Sequence, residues 1–144
     1  MLKNLDPLLG PDLLHALAAM GHGDEVAVVD ANYPAAATAR RLIRLEGVDT
    51  YRAVQAILSV LPLDVALADP ITRMQVVGDP TSMPAVQTEV LRCASDAEGQ
   101  EIGAGAIDRF AFYERSRSAF VTVATGEARP YGCVLLTKGV IFGR

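Results

Sequence analysis

A histidine enclosed by two glycines lies in the most polar cluster of the chain, Gly21-His22-Gly23-Asp24. A valine-rich run follows at 25–29 and ends at Asp30. Histidine can give and take a proton near pH 7, and flanking glycines let a substrate approach closely. A nearby aspartate would fix the tautomer of the ring. The cluster therefore predicts a proton-transferring residue at position 22, against the simpler alternative of a polar residue that ends a helix.

The same cluster has a second interpretation as a metal site built from His22, Asp24 and Asp30. Known metal sites use a small set of ligand spacings, and none of them occurs here. No second histidine stands close by, because His15 lies inside a predicted helix among leucines and alanines. We therefore expect no metal.

Two further segments carry side chains suited to a polyol. Residues 108–115 read Asp-Arg-Phe-Ala-Phe-Tyr-Glu-Arg, and residues 128–133 read Ala-Arg-Pro-Tyr-Gly-Cys. The fork of Arg109 and nearby aromatic faces match hydroxyl pairs and apolar C–H faces, and Tyr131 can point a phenol into a cleft. The plain alternatives are an amphipathic helix and an ordinary turn.

Several enzyme classes lack support in the sequence. No nucleophile elbow, P-loop or GxGxxG opens a helix after a predicted strand, so covalent hydrolysis, phosphoryl transfer and dinucleotide chemistry are not indicated. No basic patch with interleaved aromatics exists, and the net charge is -4, so we expect no nucleic-acid partner. The most apolar window, 53–68, is interrupted by Pro62 and Asp64, so we expect no membrane span.

Hydrophobic periodicity and turn residues divide the chain into alternating helices and short strands. Helices are predicted from Pro11 to just before Gly21, from Thr50 (as N-cap) to about Leu61, over 85–95 and over 108–119, with a short helical or irregular piece after Pro34. Strands are predicted at 25–29, 73–77, 120–124 and 133–136. A connector is predicted at 97–105 and a turn at 126–132. This alternation indicates one α/β domain over residues 1–144, with helices around a central sheet.

Composition adds expectations about the environment. The 144 residues are 51% hydrophobic and 21% charged, which allows a sizeable core. A mean hydropathy of +0.26 is high for a small monomer, so part of the apolar surface is expected to lie between subunits. Cys93 and Cys133 form no CxxC pattern, and the first residues lack the features of a signal peptide. A cytoplasmic protein with free thiols is the expectation.

The clusters, taken together and in order, resemble the fucose mutarotase and ribose pyranase (RbsD/FucU) family. The resemblance rests on segments 20–25 (Met-Gly-His-Gly-Asp-Glu), 30–34 (Asp-Ala-Asn-Tyr-Pro), 109–115 (Arg-Phe-Ala-Phe-Tyr-Glu-Arg) and 131–132 (Tyr-Gly), and on the opening residues 1–8. It spans nearly the whole chain, and 109–115 is closer to the fucose branch. It implies a compact RbsD-like α/β subunit, a ring-like homo-oligomer, commonly a decamer, sugar sites near subunit boundaries and no cofactor.

The resemblance also implies roles for individual residues. His22 matches the family's acid/base histidine, Asp30 a substrate-binding aspartate and Arg109 a substrate-binding arginine. Tyr131 and Gly132 match the start of a Tyr-Gly-Asn sugar-binding segment. Cys133 departs from it, because a weak thiol replaces an amide that can both donate and accept. The resemblance leaves open whether Asp30 binds a sugar hydroxyl or orients His22.

The activity that the resemblance implies is the interconversion of the anomers of a free monosaccharide, with L-fucose as the expected substrate. A pyranase that exchanges the pyranose and furanose forms of ribose uses the same ring-opening chemistry and is the alternative enzyme. A non-catalytic sugar-binding module is the alternative of another class.

Overall fold

The computed structural model describes residues 1–143 and shows five helices and six strands in them. The helices are α1 (Pro11–Ala19), α2 (Ala35–Thr38), α3 (Thr50–Leu58), α4 (Ala85–Glu98) and α5 (Arg109–Arg117). The strands are β1 (Glu25–Val29), β2 (Leu42–Leu45), β3 (Ile71–Met74), β4 (Ala104–Ile107), β5 (Val121–Thr125) and β6 (Val134–Thr137).

The strands form one mixed sheet in the order β2-β5-β1-β6-β3-β4. β2, β5 and β1 are parallel to one another, as are β3 and β4, and β6 lies antiparallel between β1 and β3. Five strands therefore end at the same edge of the sheet, which we call the carboxyl edge, and β6 begins there. The opposite edge, where those five strands begin and β6 ends, is the amino edge.

Helices cover both faces of the sheet. On one face, Leu13 of α1, Ile57 of α3 and Val90 of α4 pack in a core with Val26 and Val28 of β1. On the other face, Ala35 of α2 and Phe112 of α5 pack with Ala27 and Val29 of the same strand. Successive side chains of a strand point to opposite faces, so β1, buried on both, consists almost wholly of apolar residues. The predicted α/β class with helices around a central sheet is confirmed.

The sequence prediction missed the two outermost strands. β4 falls partly within the predicted connector at 97–105 and reads Ala-Gly-Ala-Ile, which lacks the β-branched run typical of a strand. β2 was not predicted at all, and its burial is only partial because it has one strand neighbour. The strand predicted at 73–77 instead spans Ile71–Met74, since the chain turns at Val76 to bridge with Asp79.

Two structural findings bear on the environment of the chain. Cys93 and Cys133 are both buried and unpaired. Within residues 1–143, no helix is both long and apolar enough to cross a lipid bilayer.

Candidate functional site

The carboxyl edge brings together five of the six residues that the sequence singled out. Asp30 follows the last residue of β1, and Arg109 opens α5 two residues after β4 ends. Tyr131, Gly132 and Cys133 immediately precede β6, which pairs antiparallel with β1. The carboxyl ends of parallel strands are where open α/β sheets bind ligands.

Asp30 and Cys133 contact each other directly. The Cys133 thiol donates to Oδ2 of Asp30 at 3.2 Å, and the Asn32 N–H donates to Oδ1 at 3.0 Å. Burial raises the pKa of the Cys133 thiol well above its ordinary value, and the nearby charge of Asp30 acts in the same direction. The thiol therefore stays protonated and acts as the donor that fixes one oxygen of Asp30.

The protonated thiol gives a pH dependence that can be measured. An unfolded thiol ionises near its ordinary pKa of 9.0, whereas the folded thiol holds its proton. The folded state then binds more protons, so this contribution to stability is complete below about pH 9 and is lost as the pH rises further. In urea unfolding between pH 8 and 10, we expect the wild type to lose stability more steeply than Cys133→Ser, by up to about 1.4 kcal/mol per pH unit. Parallel curves would contradict the buried thiol as the cause.

Tyr131 occupies an uncommon backbone conformation. Its φ is 62°, a left-handed value that is uncommon for a bulky non-glycine residue and costs free energy. The Val77 N–H donates to its phenol oxygen at 3.2 Å, and the phenol keeps its own proton for another acceptor. Thr50, predicted as a helix cap, instead donates its hydroxyl to the Gly132 carbonyl at 2.9 Å, and Asp49 caps α3. That correction adds Thr50 to the residues that hold this turn.

Gly132 stands where no side chain fits. A Cβ there would lie 2.7 Å from Cγ of Glu127 and 3.0 Å from Oγ1 of Thr50. We expect Gly132→Ala to destabilise the fold by about 1–3 kcal/mol in urea unfolding, because the buried turn must shift to make room. Gly47→Ala is the matched control, since nothing lies within 4 Å of its added Cβ. Equal stability of the two variants would show that the turn is not tightly packed.

Arg109 lies beside a cleft of about 320 Å³ at the carboxyl edge. Val77, Asp108 and Phe110 also line this cleft, and the Arg109 guanidinium sits 4.7 Å from the centre of the Phe110 ring. Because Val77 also binds the Tyr131 hydroxyl, Arg109 and Tyr131 face adjoining parts of one region. Asp30 lines a separate cavity of about 580 Å³ on the same edge.

A cluster of ion pairs, partly exposed to solvent, lies next to the Tyr131 turn. Arg129 binds Glu127 and Glu89 at 2.9 Å each. The Arg129 guanidinium lowers the pKa of the Glu127 carboxyl, which also accepts from the Thr50 N–H at 3.3 Å. Glu127 is buried, so this charge is anchored by partners on both sides.

His22 lies at the opposite, amino edge of the sheet. It precedes β1, whereas Asp30 follows that strand. The five residues of β1 alone extend roughly 17 Å, which is far longer than a pyranose ring. One subunit therefore does not bring His22 and Asp30 into one monosaccharide site, and Asp30 does not orient the histidine of its own chain.

The partner of His22 is Asp64, a residue that no sequence motif singled out. Nε2 of His22 lies 2.9 Å from Oδ2 of Asp64, and the side chains are 57% and 11% exposed. A carboxylate accepts hydrogen bonds, so this contact places the proton on Nε2 and leaves the lone pair on Nδ1. The only sequence signal for Asp64 was its presence inside the apolar window 53–68, where a buried carboxylate needs a partner.

Hydrogen bonds from Lys138, the residue after β6, hold the His22 loop in place. The Lys138 ammonium donates to the carbonyls of Leu17 and Met20 at the end of α1, and the Lys138 carbonyl accepts from the Gly23 N–H. The Asp24 carboxylate accepts from the Gly21 N–H at 2.7 Å rather than contacting the imidazole. These hydrogen bonds fix the backbone of the loop, and the His22 side chain points outward from it into solvent.

The two edges offer complementary chemistry. The carboxyl edge has an arginine fork, a phenol and a fixed carboxylate, which suit the hydroxyls of a polyol. The amino edge has an imidazole that is paired on one nitrogen and open on the other. Within residues 1–143, no three histidine, cysteine or acidic side chains lie close enough together to bind a metal ion.

Comparison with known proteins decides the family. Residues 3–141 match the RbsD / FucU transport protein family. The chain belongs to this family. An L-fucose mutarotase of Histophilus somni (strain 2336) is 37% identical over 140 residues, which cover 97% of each chain.

Solved structures of family members have the same fold. The fucose mutarotase of Streptococcus pneumoniae, crystallised with L-fucose, superposes with a TM-score of 0.89 at 37% identity and covers 97% of this chain and 99% of its own. The protein Atu2016 superposes with a TM-score of 0.94 at 48% identity, covering 98% and 97%. The RbsD/FucU resemblance drawn from the motifs is confirmed.

Proposed function

We propose that the chain is a monosaccharide mutarotase, a carbohydrate isomerase that interconverts the α and β anomers of free L-fucose. The observation that carries the proposal is an imidazole whose one nitrogen is held by Asp64 and whose other nitrogen is open. The mutarotases of H. somni and S. pneumoniae, similar over nearly the whole chain, support the choice of reaction and sugar.

The proposed reaction opens and recloses the hemiacetal ring. A proton leaves the anomeric hydroxyl as another reaches the ring oxygen, and the bond between that oxygen and the anomeric carbon breaks. Rotation about the adjacent C–C bond presents the other face of the aldehyde, and reclosure reverses both proton transfers. The doubly protonated His22 ring donates its Nδ1 proton to the ring oxygen and recovers it on reclosure, while Nε2 stays on Asp64 and a water molecule accepts the anomeric proton and returns it. Arg109, Tyr131 and Asp30 hold the hydroxyls.

This mechanism needs more than one copy of the chain. His22 and Asp30 lie at opposite edges of the subunit, so we propose that the amino edge of one subunit meets the carboxyl edge of the next. Exposed apolar residues flank both: Val65, Leu67 and Ile141 near the amino edge, and Val77, Met83 and Phe110 near the carboxyl edge. Such patches are typical of interfaces.

Contact between unlike edges is heterologous, and repeated heterologous contacts form a ring when the rotation from one subunit to the next closes on itself. We therefore propose a ring-like homo-oligomer, with the decamer implied by the resemblance as its expected size. We propose a cytoplasmic location, which fits the two buried free thiols.

Saturation-transfer NMR on a panel of free monosaccharides tests the proposal. We expect magnetisation to pass between the two anomer signals of L-fucose faster with protein than without it. Faster pyranose–furanose exchange of ribose, with no effect on fucose anomers, would favour a pyranase. Saturable binding without faster exchange would indicate a sugar-binding module and refute catalysis.

A further inference from the structure

A buried arginine and a buried glutamine lie directly behind the Tyr131 turn. Arg73 on β3 is 8% exposed, and Gln87 in the first turn of α4 is 1% exposed. Neither residue reaches the sugar-binding side chains proposed above. Burying a guanidinium and an amide costs free energy unless each has hydrogen-bond partners. The partners of Arg73 and Gln87 therefore show which parts of the structure these two side chains hold together.

The Gln87 amide joins two backbone segments of the carboxyl edge. Its Nε2 donates to the Met74 carbonyl at 2.8 Å and to the Tyr131 carbonyl at 3.0 Å. Both protons of the amide nitrogen are therefore used, one on the end of β3 and one on the residue with left-handed backbone. Without this donor, the Tyr131 carbonyl would lose a partner that helps to offset the cost of its conformation.

Arg73 determines which way the Gln87 amide points. Its NH1 group donates to the Ser82 carbonyl at 3.0 Å and to Oε1 of Gln87 at 3.3 Å. A guanidinium can only donate, so the contact holds Oε1 on the arginine and Nε2 on the two carbonyls. No carboxylate in the described part of the chain pairs with Arg73, and its Nε is buried without a partner.

We infer that Gln87, oriented by Arg73, is a positioning residue: it holds the Tyr131 phenol in place for sugar binding, together with the Val77 N–H that donates to that phenol. This inference rests on the proposed function, in which Tyr131 holds the sugar. An apolar pair of the same volume would stabilise the core at least as well as Arg73 and Gln87 do. The polar pair instead directs two N–H donors at the backbone carbonyls of Met74 and Tyr131, at the edge of the proposed site.

Gln87→Glu separates positioning from general stability. The change keeps the shape and gives Arg73 a charged partner, but replaces the donor with oxygens that repel the Met74 and Tyr131 carbonyls. We expect the KM for L-fucose to rise about tenfold or more while kcat changes less than about threefold. The amide proton of Val77 should also exchange faster with solvent, because its acceptor on Tyr131 moves.

Gln55→Glu is the matched control, since it makes the same charge change at an exposed position on α3. If Gln87→Glu fails to fold, Gln87→Met removes the donor without adding charge and takes its place. An unchanged KM and a still protected Val77 amide would overturn the inference. If the wild type binds L-fucose without speeding anomer exchange, the proposed catalysis is refuted. The solvent exchange of the Val77 amide proton in Gln87→Glu still tests the positioning role in that case.

Discussion

Replacing His22 with glutamine is expected to slow the exchange of L-fucose anomers by about 100- to 10,000-fold, because an amide cannot carry a proton between oxygens near pH 7. The side chain is 57% exposed, so the fold and its unfolding midpoint should be unaffected. Saturation-transfer NMR at neutral pH with equal amounts of wild type and variant gives the ratio of rates.

The chain supplies its own control for this experiment. His15 is the other histidine, exposed on α1, and His15→Gln should leave the exchange rate unchanged. L-fucose should still bind the His22 variant, since Arg109, Tyr131 and Asp30 are intact. Wild-type exchange in His22→Gln would remove the imidazole from the mechanism.

Asp64→Asn is expected to have the second largest effect, a loss of roughly 100-fold or more in exchange rate. An asparagine of the same shape can donate its amide N–H to Nε2 of His22, which moves the ring proton to Nδ1 and reverses the tautomer. It also removes the negative charge that stabilises an imidazolium during the reaction. Nitrogen NMR of the His22 ring measures the tautomer, and anomer exchange measures the rate.

An acidic residue close by provides the comparison. Asp24 binds the Gly21 N–H instead of the imidazole, so Asp24→Asn keeps an oxygen for that bond and should leave the tautomer unchanged. If Asp64→Asn kept both the wild-type tautomer and the wild-type rate, Asp64 would be only a structural partner of His22.

The sequence predicted the residues of the site better than it predicted their arrangement. The periodic, apolar β1 and its flanking His22 and Asp30 were visible because a buried strand has a distinct composition. The distance between His22 and Asp30 was not visible in the sequence, because the extended strand between them carries two residues that are close in sequence to opposite edges of the sheet. Asp64 was hidden for the converse reason, because 42 positions separate it from the imidazole that it contacts.

The support behind the site was also out of reach of sequence patterns. Thr50 was predicted to cap α3 because threonine is a common N-cap residue, yet its hydroxyl binds Gly132 across the fold. Gln87 reads as one more polar residue of an amphipathic helix. Only the strand order, which the sequence did not reveal, places both of them beside Tyr131.

The structure shows what Cys133, which stands in place of the asparagine of the Tyr-Gly-Asn segment, contacts in this chain. The Cys133 thiol donates a hydrogen bond to Asp30, and an asparagine amide at this position could donate the same bond. Unlike the amide, the thiol has no strong hydrogen-bond acceptor to offer a sugar hydroxyl. We expect Cys133→Asn to retain anomer exchange and to shift the ratio of KM values between L-fucose and other monosaccharides. An unchanged ratio across a sugar panel would show that this side chain does not affect preference.

The most direct test of the composite site is complementation between two defective variants. His22→Gln and Asp30→Asn are each expected to be at least about tenfold less active than wild type. If one subunit supplies His22 and its neighbour Asp30, random mixed assemblies restore about one quarter of wild-type exchange, since one pairing in four joins two intact edges. We expect this recovery after the two variants are unfolded and refolded together. No recovery, with mixed assemblies demonstrated by native mass spectrometry, would contradict it.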